Sequence, residues 1–127
     1  MLRPIPKSLL GDLAIIKVCT GVDAWQNADW QTYTVKNVHI QNTNEVKKTK
    51  ENTEIVLRSM LFIDGRLSQP VLDYDTLAER SQMAGKPLRC EVYNAQGQKY
   101  GEYEVLTVDP VPDVPAIRVH HIELGLV

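Results

Sequence analysis

Apolar and polar side chains alternate in several short runs of this chain. This alternation, with a period of two residues, restricts the possible folds more than any other feature of the sequence. Residues 31–40, QTYTVKNVHI, follow the pattern except at Asn37, which interrupts it once. Successive side chains of a β-strand point to opposite faces of a sheet. The pattern therefore predicts a strand with one buried face and one solvated face, broken at Asn37.

Five further runs have the composition of strands. They are rich in β-branched and aromatic residues and are bounded by turn residues, as strands usually are. They span 13–19, 54–63, 88–93, 98–110 and 116–127. The turn residues Asn94–Gly97 join two of these runs into a predicted hairpin.

One segment has helical spacing. Leu77, Arg80 and Met83/Ala84 recur at helical spacing within residues 75–85, with Asp75 as the predicted N-cap and Gly85 as the end. Strands and helices do not alternate along the chain, and 127 residues suffice for one domain, 1–127, with a single core. We predict an all-β fold, a small barrel or sandwich of about six mostly antiparallel strands with one short helix.

Two expectations concern prolines and tryptophans. Pro110, Pro112 and Pro115 lack the backbone N–H that a central strand needs, so they are expected to form a stiff connection. Trp25 and Trp30 lie in a segment rich in Asp, Asn and Gln. This composition predicts a loop whose indole rings fold back onto the core.

A polar arm, residues 42–54 (NTNEVKKTKENTE), separates two predicted strands and contains one large apolar residue before Ile55, Val46. The connection is much longer than an ordinary hairpin loop of two to five residues. It predicts a long protruding hairpin with a flexible loop at about 41–53. Its lysines are Lys47, Lys48 and Lys50, and its glutamates are Glu45, Glu51 and Glu54.

The arm permits two interpretations. It is either a solvated loop or a segment that orders on meeting a partner. If several copies formed a ring, the arms would meet at its axis, and Lys47, Lys48 and Lys50 would form a basic collar able to contact DNA phosphates. These lysines are the candidate channel-lining or DNA-facing residues.

The composition excludes several classes of protein. A net charge of −2 and a pI near 5.9 argue against a domain whose main task is to bind nucleic-acid phosphates. Apolar runs fall well short of the roughly 18 residues that a spanning helix needs. Pro4 and Pro6 interrupt the stretch where a signal peptide would be apolar, so a cytoplasmic protein without membrane contact is expected. Cys19 and Cys90 sit alone in apolar runs and are expected to be buried and reduced.

Catalytic and metal-binding patterns are weak. His121 and Glu123 share one face of a predicted strand, but a metal site needs a third ligand, and His39 is the only histidine outside the pair at 120–121. The seven glycines are isolated, so they form no phosphate-binding loop. We expect no catalytic residue, metal or cofactor, and hence a protein that is not an enzyme.

Four stretches of the chain, in order and spacing, resemble the minor capsid proteins of tailed phages and prophages of Gram-positive bacteria. They are LRPIPKSLLGD at 2–12, VKNVHIQNTNEVKKTKENTEI at 35–55, SMLFIDGRLSQP at 59–70 and VHHIELGLV at 119–127. Together they cover about half of the chain, and none is a catalytic motif.

The resemblance implies a virion protein of the head–tail joint, similar to head-completion or stopper proteins. Such a protein is a small β-barrel that forms a ring, a hexamer or dodecamer, below the portal and adaptor, and it is monomeric in isolation. Its long loop closes the channel that holds packaged double-stranded DNA, and tail proteins lie on the other side. The implied location is the virion neck, after assembly in the host bacterial cytoplasm.

Three alternatives stay open. The label of the family also fits a tail-completion protein of the tail-terminator type. A single-stranded nucleic-acid-binding barrel would need aromatic side chains on an exposed strand face. A metal-dependent enzyme on a cupin-like β fold would carry stoichiometric metal.

Overall fold

The computed structural model describes residues 10–44, 46–48, 52–64, 68–70, 72–113 and 118–127. Within these ranges it contains eight strands and one helix, which confirms the all-β class with a single short helix. In chain order the elements are β1 (Asp12–Val22), β2 (Ala28–Asn42), β3 (Val46–Lys48), β4 (Glu54–Val56), β5 (Ser59–Asp64), α1 (Tyr74–Ala84), β6 (Arg89–Tyr93), β7 (Lys99–Asp113) and β8 (Arg118–Leu126).

Six of the strands form a closed antiparallel barrel in the order β1-β2-β5-β8-β7-β6, with β6 pairing back onto β1. The closing pair joins Leu13 to Tyr93 and Lys17 to Arg89. Closure lets neighbouring strands satisfy each other's backbone groups where a flat sheet would expose two edges. Strands β3 and β4 lie outside the barrel and form a separate two-stranded sheet.

The core fills the barrel with inward-facing side chains from all six strands. On β6, Leu88 just before the strand, Cys90 and Val92 are fully buried, as the alternation predicts. On β2 the alternation breaks at Asn37, which adopts a φ of +60° and forms a bulge between the pairs Asp12–Val38 and Leu13–Lys36. Asparagine tolerates this left-handed conformation, and the extra residue keeps the apolar side chains on both sides of it facing inward.

Helix α1 packs against β1 and begins two residues earlier than predicted. The N-cap is Asp73, whose carboxylate accepts hydrogen bonds from the backbone N–H of Thr76 at 3.2 Å and from its hydroxyl at 2.8 Å. An N-cap side chain bonds the N–H three residues on, and Thr76 offers a second donor there, so Asp73 outcompetes Asp75. The helix ends at Ala84, and its C-cap is Gly85, whose φ of +120° suits glycine.

The prolines of β7 correct one expectation, because Pro110 and Pro112 lie inside that strand, opposite Ile122 and Val119 of β8. Strand β6 pairs only with the first part of β7, from Lys99 to Glu104. The described ladders therefore give the proline-containing part of β7 one neighbour, β8, and a strand paired on one side tolerates a missing N–H. Pro115 lies outside the described residues.

The tryptophans correct another expectation. Trp25 lies in the turn between β1 and β2 with 82% of its surface exposed, so its indole does not fold back onto the core. Trp30 belongs to β2 and is half-buried, with the Lys17 Nζ 5.9 Å from its ring centroid. Among the described residues, no helix is long and apolar enough to cross a membrane.

Candidate functional site: the arm and its root

The arm forms a short β-ladder rather than a simple loop. Its first residue, Asn42, ends β2, and residues 46–48 form β3, which pairs with β4 in the register Val46–Val56, Lys47–Ile55 and Lys48–Glu54. Of the candidate lysines, Lys47 and Lys48 are therefore neighbours on β3 and Lys48 is exposed, whereas Lys50 lies outside the described residues. The flexibility expected for 41–53 stays a prediction.

The exposed surface of this ladder is partly apolar. Val46 and Val56 lie opposite each other and are 54% and 57% exposed. Two-stranded hairpins are only marginally stable in water. This ladder buries little apolar surface, so its own pairing contributes little to the stability of the chain.

The arm returns to the barrel through a root formed by Leu57 and Arg58. Leu57 is fully buried and packs against Gly125 of β8. A side-chain carbon added at Gly125 would lie 2.8 Å from the Leu57 Cδ1, so the missing side chain makes room for this leucine.

Arg58 fixes the root with backbone and side-chain contacts. Its N–H donates to the Leu126 carbonyl at 2.8 Å, and its Nη2 donates to the Glu102 carbonyl at 3.3 Å. Its guanidinium carbon lies 4.9 Å from the ring centroid of Tyr103, a cation–π distance. The Arg58 carbonyl accepts from the Thr43 N–H at 3.1 Å, which ties the outgoing chain to the returning one.

An open groove of about 420 Å³ separates the outgoing chain at the base of the arm from the returning chain. It is lined by Asn42, Thr43, Asn44, Val56, Leu57 and Arg58. Sequence reasoning missed the root. The signal available was a lone arginine inside the apolar run EIVLRSMLFI, which marks the place where β4 ends and β5 begins.

The outer face of β1, β6 and β7 carries a network of charged side chains. Lys17 Nζ lies 3.3 Å from the Glu91 carboxylate and 3.6 Å from that of Glu102, and Lys99 Nζ lies 3.9 Å and 3.5 Å from the same two groups. The Tyr93 hydroxyl donates to Glu91 at 2.8 Å and, together with Lys17 and Lys99, lowers the pKa of that carboxyl. Partly exposed pairs of this kind stabilise a sheet modestly.

His39 and His121 each lie near one carboxylate, and both cysteines are buried. His121 Nε2 lies 4.0 Å from the Glu123 carboxylate, as their shared strand face predicts, and His39 Nδ1 lies 3.9 Å from that of Asp12. In the part of the chain that the structure describes, no group of three or more His, Cys, Asp or Glu side chains could hold a metal ion. Burial raises the pKa of the Cys90 thiol to about 12, so this thiol is protonated at neutral pH and is a poor nucleophile.

The geometry defines a class: a small closed antiparallel β-barrel with an exposed two-stranded arm on a fixed root. Comparison with protein-family models, curated proteins and solved structures returns no match.

Proposed function

We propose that the chain is a virion structural protein of a phage head–tail joint, in which a ring of copies closes the DNA channel with its arms. The observation that carries the proposal is the junction between arm and barrel. An exposed, weakly paired ladder is attached to a root whose Leu57 is fully buried and whose Arg58 bonds both β7 and β8. The resemblance to minor capsid proteins supports the same function.

The arm is suited to a gate because its stability is separate from that of the barrel. Its three-pair ladder can rearrange at small free-energy cost, since little apolar surface is buried there. The root stays in place because its contacts belong to the barrel. Opening of the channel would then be an order–disorder or swinging change of the arm alone.

The lysines give the closed gate a second role. In a ring, Lys47, Lys48 and Lys50 of each copy would collect near the axis, where their charges attract the phosphates of the packaged DNA end. The barrel does not have to be basic for this contact, which is compatible with the net charge of −2. The gate therefore combines a steric barrier with an electrostatic contact.

The test separates these two contributions on particles. In one phage variant, residues 44–55 are replaced by Asn-Gly, which keeps Thr43, Leu57 and Arg58 for the root. In a matched variant the arm keeps its length, and Lys47, Lys48 and Lys50 are changed to Gln. Nuclease protection and electron microscopy then measure whether the heads retain their DNA.

We expect the shortened arm to give heads that package DNA and lose it, and the glutamine variant to give a partial loss. Circular dichroism of the purified shortened chain should show an intact barrel. If the shortened chain unfolds, the arm is structural and the gate is refuted. Full heads that retain DNA and lack only tails would assign the chain to tail completion, and normal infectious particles would exclude a role at the joint.

A further inference from the structure

The first half of β2 has one edge to which no described strand pairs. Strand β1 covers one side of β2 from its first residue to Val38, whereas β5 covers the other side only from Val38 to Asn42. Among the described residues, the one further backbone partner on the β5 side is Gln69, which bonds Lys36. In the described part of the chain, residues 30–35 therefore form an open edge, which we name the β2 edge.

The hydrogen bonds of Lys36 show which backbone groups point out of the β2 edge. The Lys36 N–H donates to the Gln69 carbonyl at 2.8 Å, and the Lys36 carbonyl accepts from the Gln69 N–H at 3.2 Å. Both backbone groups of Lys36 therefore point away from β1. Since successive residues of an antiparallel strand direct these groups to alternate sides, those of Trp30, Thr32 and Thr34 point out of the β2 edge as well.

Strand β1 leads to the same conclusion independently. The Cys19 N–H donates to the Ser81 hydroxyl of α1 at 2.9 Å, so it points away from β2, and Cys19 lies opposite Trp30. Opposite residues of an antiparallel pair either bond each other or both point away. The backbone of Trp30 therefore points outward, and solvent reaches the edge because Thr32 and Thr34 are exposed.

Strand β7 also has a part with one neighbour, but its sequence differs from that of the β2 edge. Beyond Val105 the described ladders pair β7 with β8 alone, and there Pro110 and Pro112 supply no N–H. The β2 edge has no proline, and no charged residue lies between Asp29 and Lys36. Native sheets usually protect an edge with prolines or charges, because an open edge pairs with another strand. The β2 edge is therefore suited to accept an added strand.

The β2 edge is complementary to itself. Its outward groups belong to three alternate residues, and Thr32 is the middle one. In two copies related by a two-fold axis at Thr32, this residue lies opposite its counterpart, and Trp30 lies opposite Thr34. Each of these pairs exchanges two hydrogen bonds, so every outward N–H and carbonyl of both copies gains a partner. The paired stretch ends at Thr34, because the groups of Lys36 are already bonded to Gln69.

We propose that the β2 edges of two copies of this chain pair antiparallel about Thr32 and join the two sheets. The same surface contributes from both copies, so the contact is isologous and closes as a dimer. Opposed threonines are favourable cross-strand pairs, and no like charges lie opposite each other in the paired stretch. This dimer goes beyond the ring of the proposed function and does not rest on it.

The experiment places charges at the two-fold axis. Thr32→Lys and Thr32→Glu each put like charges directly opposite in a dimer of one variant, whereas a mixture pairs lysine with glutamate. Gln41→Lys and Gln41→Glu are the matched controls, because Gln41 is an exposed residue of the same strand in the part that β5 covers. Sedimentation velocity at up to about 1 mM protein measures association, and circular dichroism verifies the fold of each variant.

We expect the wild type and the Gln41 variants to dimerise, and each Thr32 variant alone to dimerise at least about tenfold more weakly. An equimolar mixture of Thr32→Lys and Thr32→Glu should dimerise about as tightly as the wild type. Hydrogen exchange in the wild type identifies the edge. The N–H groups of Trp30, Thr32 and Thr34 should exchange fast in dilute protein and slowly in concentrated protein, whereas that of Tyr33, which faces β1, should change less.

A wild type that stays monomeric at about 1 mM would overturn the proposal. Wild-type affinity in Thr32→Lys, or a mixture that dimerises no better than its components, would refute the two-fold axis at Thr32. Association that leaves exchange at the Thr32 amide unchanged would mean that another surface pairs, which refutes the β2 edge. If a Thr32 variant misfolds, the exchange pattern of the wild type decides the question by itself.

Discussion

Leu57→Ala tests whether the arm is anchored as the structure shows. Leu57 is fully buried against Gly125, and truncation to alanine removes three buried carbons. At ~0.8 kcal/mol for each carbon, the transfer loss is about 2.4 kcal/mol. A rigid cavity would add to this loss, but the adjacent groove gives the site room to relax or admit water. We therefore expect a loss of about 2.5 to 3 kcal/mol in the free energy of unfolding.

Urea unfolding followed by circular dichroism measures this loss, and a thermal scan should show a fall of about 10 °C in Tm for a domain of this size. Val56→Ala is the matched control, because it truncates the neighbouring residue, the last of β4, at a site that is 57% exposed. The control should change stability by less than about 0.5 kcal/mol.

Hydrogen exchange adds a local measurement. The Thr43 N–H, bonded to Arg58, and the Arg58 N–H, bonded to Leu126, should lose protection in Leu57→Ala beyond the loss shared by the whole barrel. Equal stability of Leu57→Ala and the control, or unchanged exchange at these two amides, would refute the anchored root.

Two other predictions concern the Trp25 turn and a buried thiol. The hydrogen bond from the Asn27 N–H is the main cause of the lowered pKa of the Asp23 carboxyl. The ionised Asp23 carboxylate therefore stabilises the folded chain above pH 3.8, the ordinary pKa of this group. This stabilisation is lost as the pH falls through the lower pKa of the folded state. NMR should show the amide resonances of Trp25 and Asn27 shifting with pH in that acid range. Asp23→Asn, which keeps a hydrogen-bond acceptor but does not titrate, should abolish this shift. An equal shift in the variant would contradict the assignment of the titration to Asp23. The Cys90 thiol, with its pKa raised to about 12 by burial, should react with a thiol reagent at pH 8 only as fast as the chain opens, so rapid labelling of native protein would contradict its burial.

The fold class could be predicted because the alternation of apolar and polar side chains is a local feature of each strand's sequence. The break at Asn37 was visible in the same way, since a bulge shifts the apolar pattern by one residue. The closing pair of the barrel was not visible. Strand β6 meets β1 across more than seventy positions of chain, and nothing local distinguishes that pairing from the two-sheet sandwich that the same pattern allows.

The features that the sequence did not predict share a physical cause. In each case the environment of a residue is determined by tertiary contacts and not by the local pattern. Pro110 and Pro112 are tolerated in β7 because β6 pairs only with the earlier part of that strand. This depends on the register between the two strands. Trp25 is exposed because Asp23 builds a turn that holds it away from the core. The root of the arm depends on Gly125, which is nearly seventy residues away from Leu57.

The position of the root explains how a weak arm could resist pressure from DNA in the proposed function. A load on the returning chain of the arm reaches Leu57 and then Arg58. The contacts of Arg58 divide this load between β8, through the Leu126 carbonyl, and β7, through the Glu102 carbonyl. The end of the chain adds a further connection, because Val127 and Glu104 exchange two hydrogen bonds of 3.0 Å. Detaching the root would therefore require several barrel contacts to break together, whereas bending the arm requires only its three-pair ladder to yield. The molecule would open at the arm and keep the barrel closed.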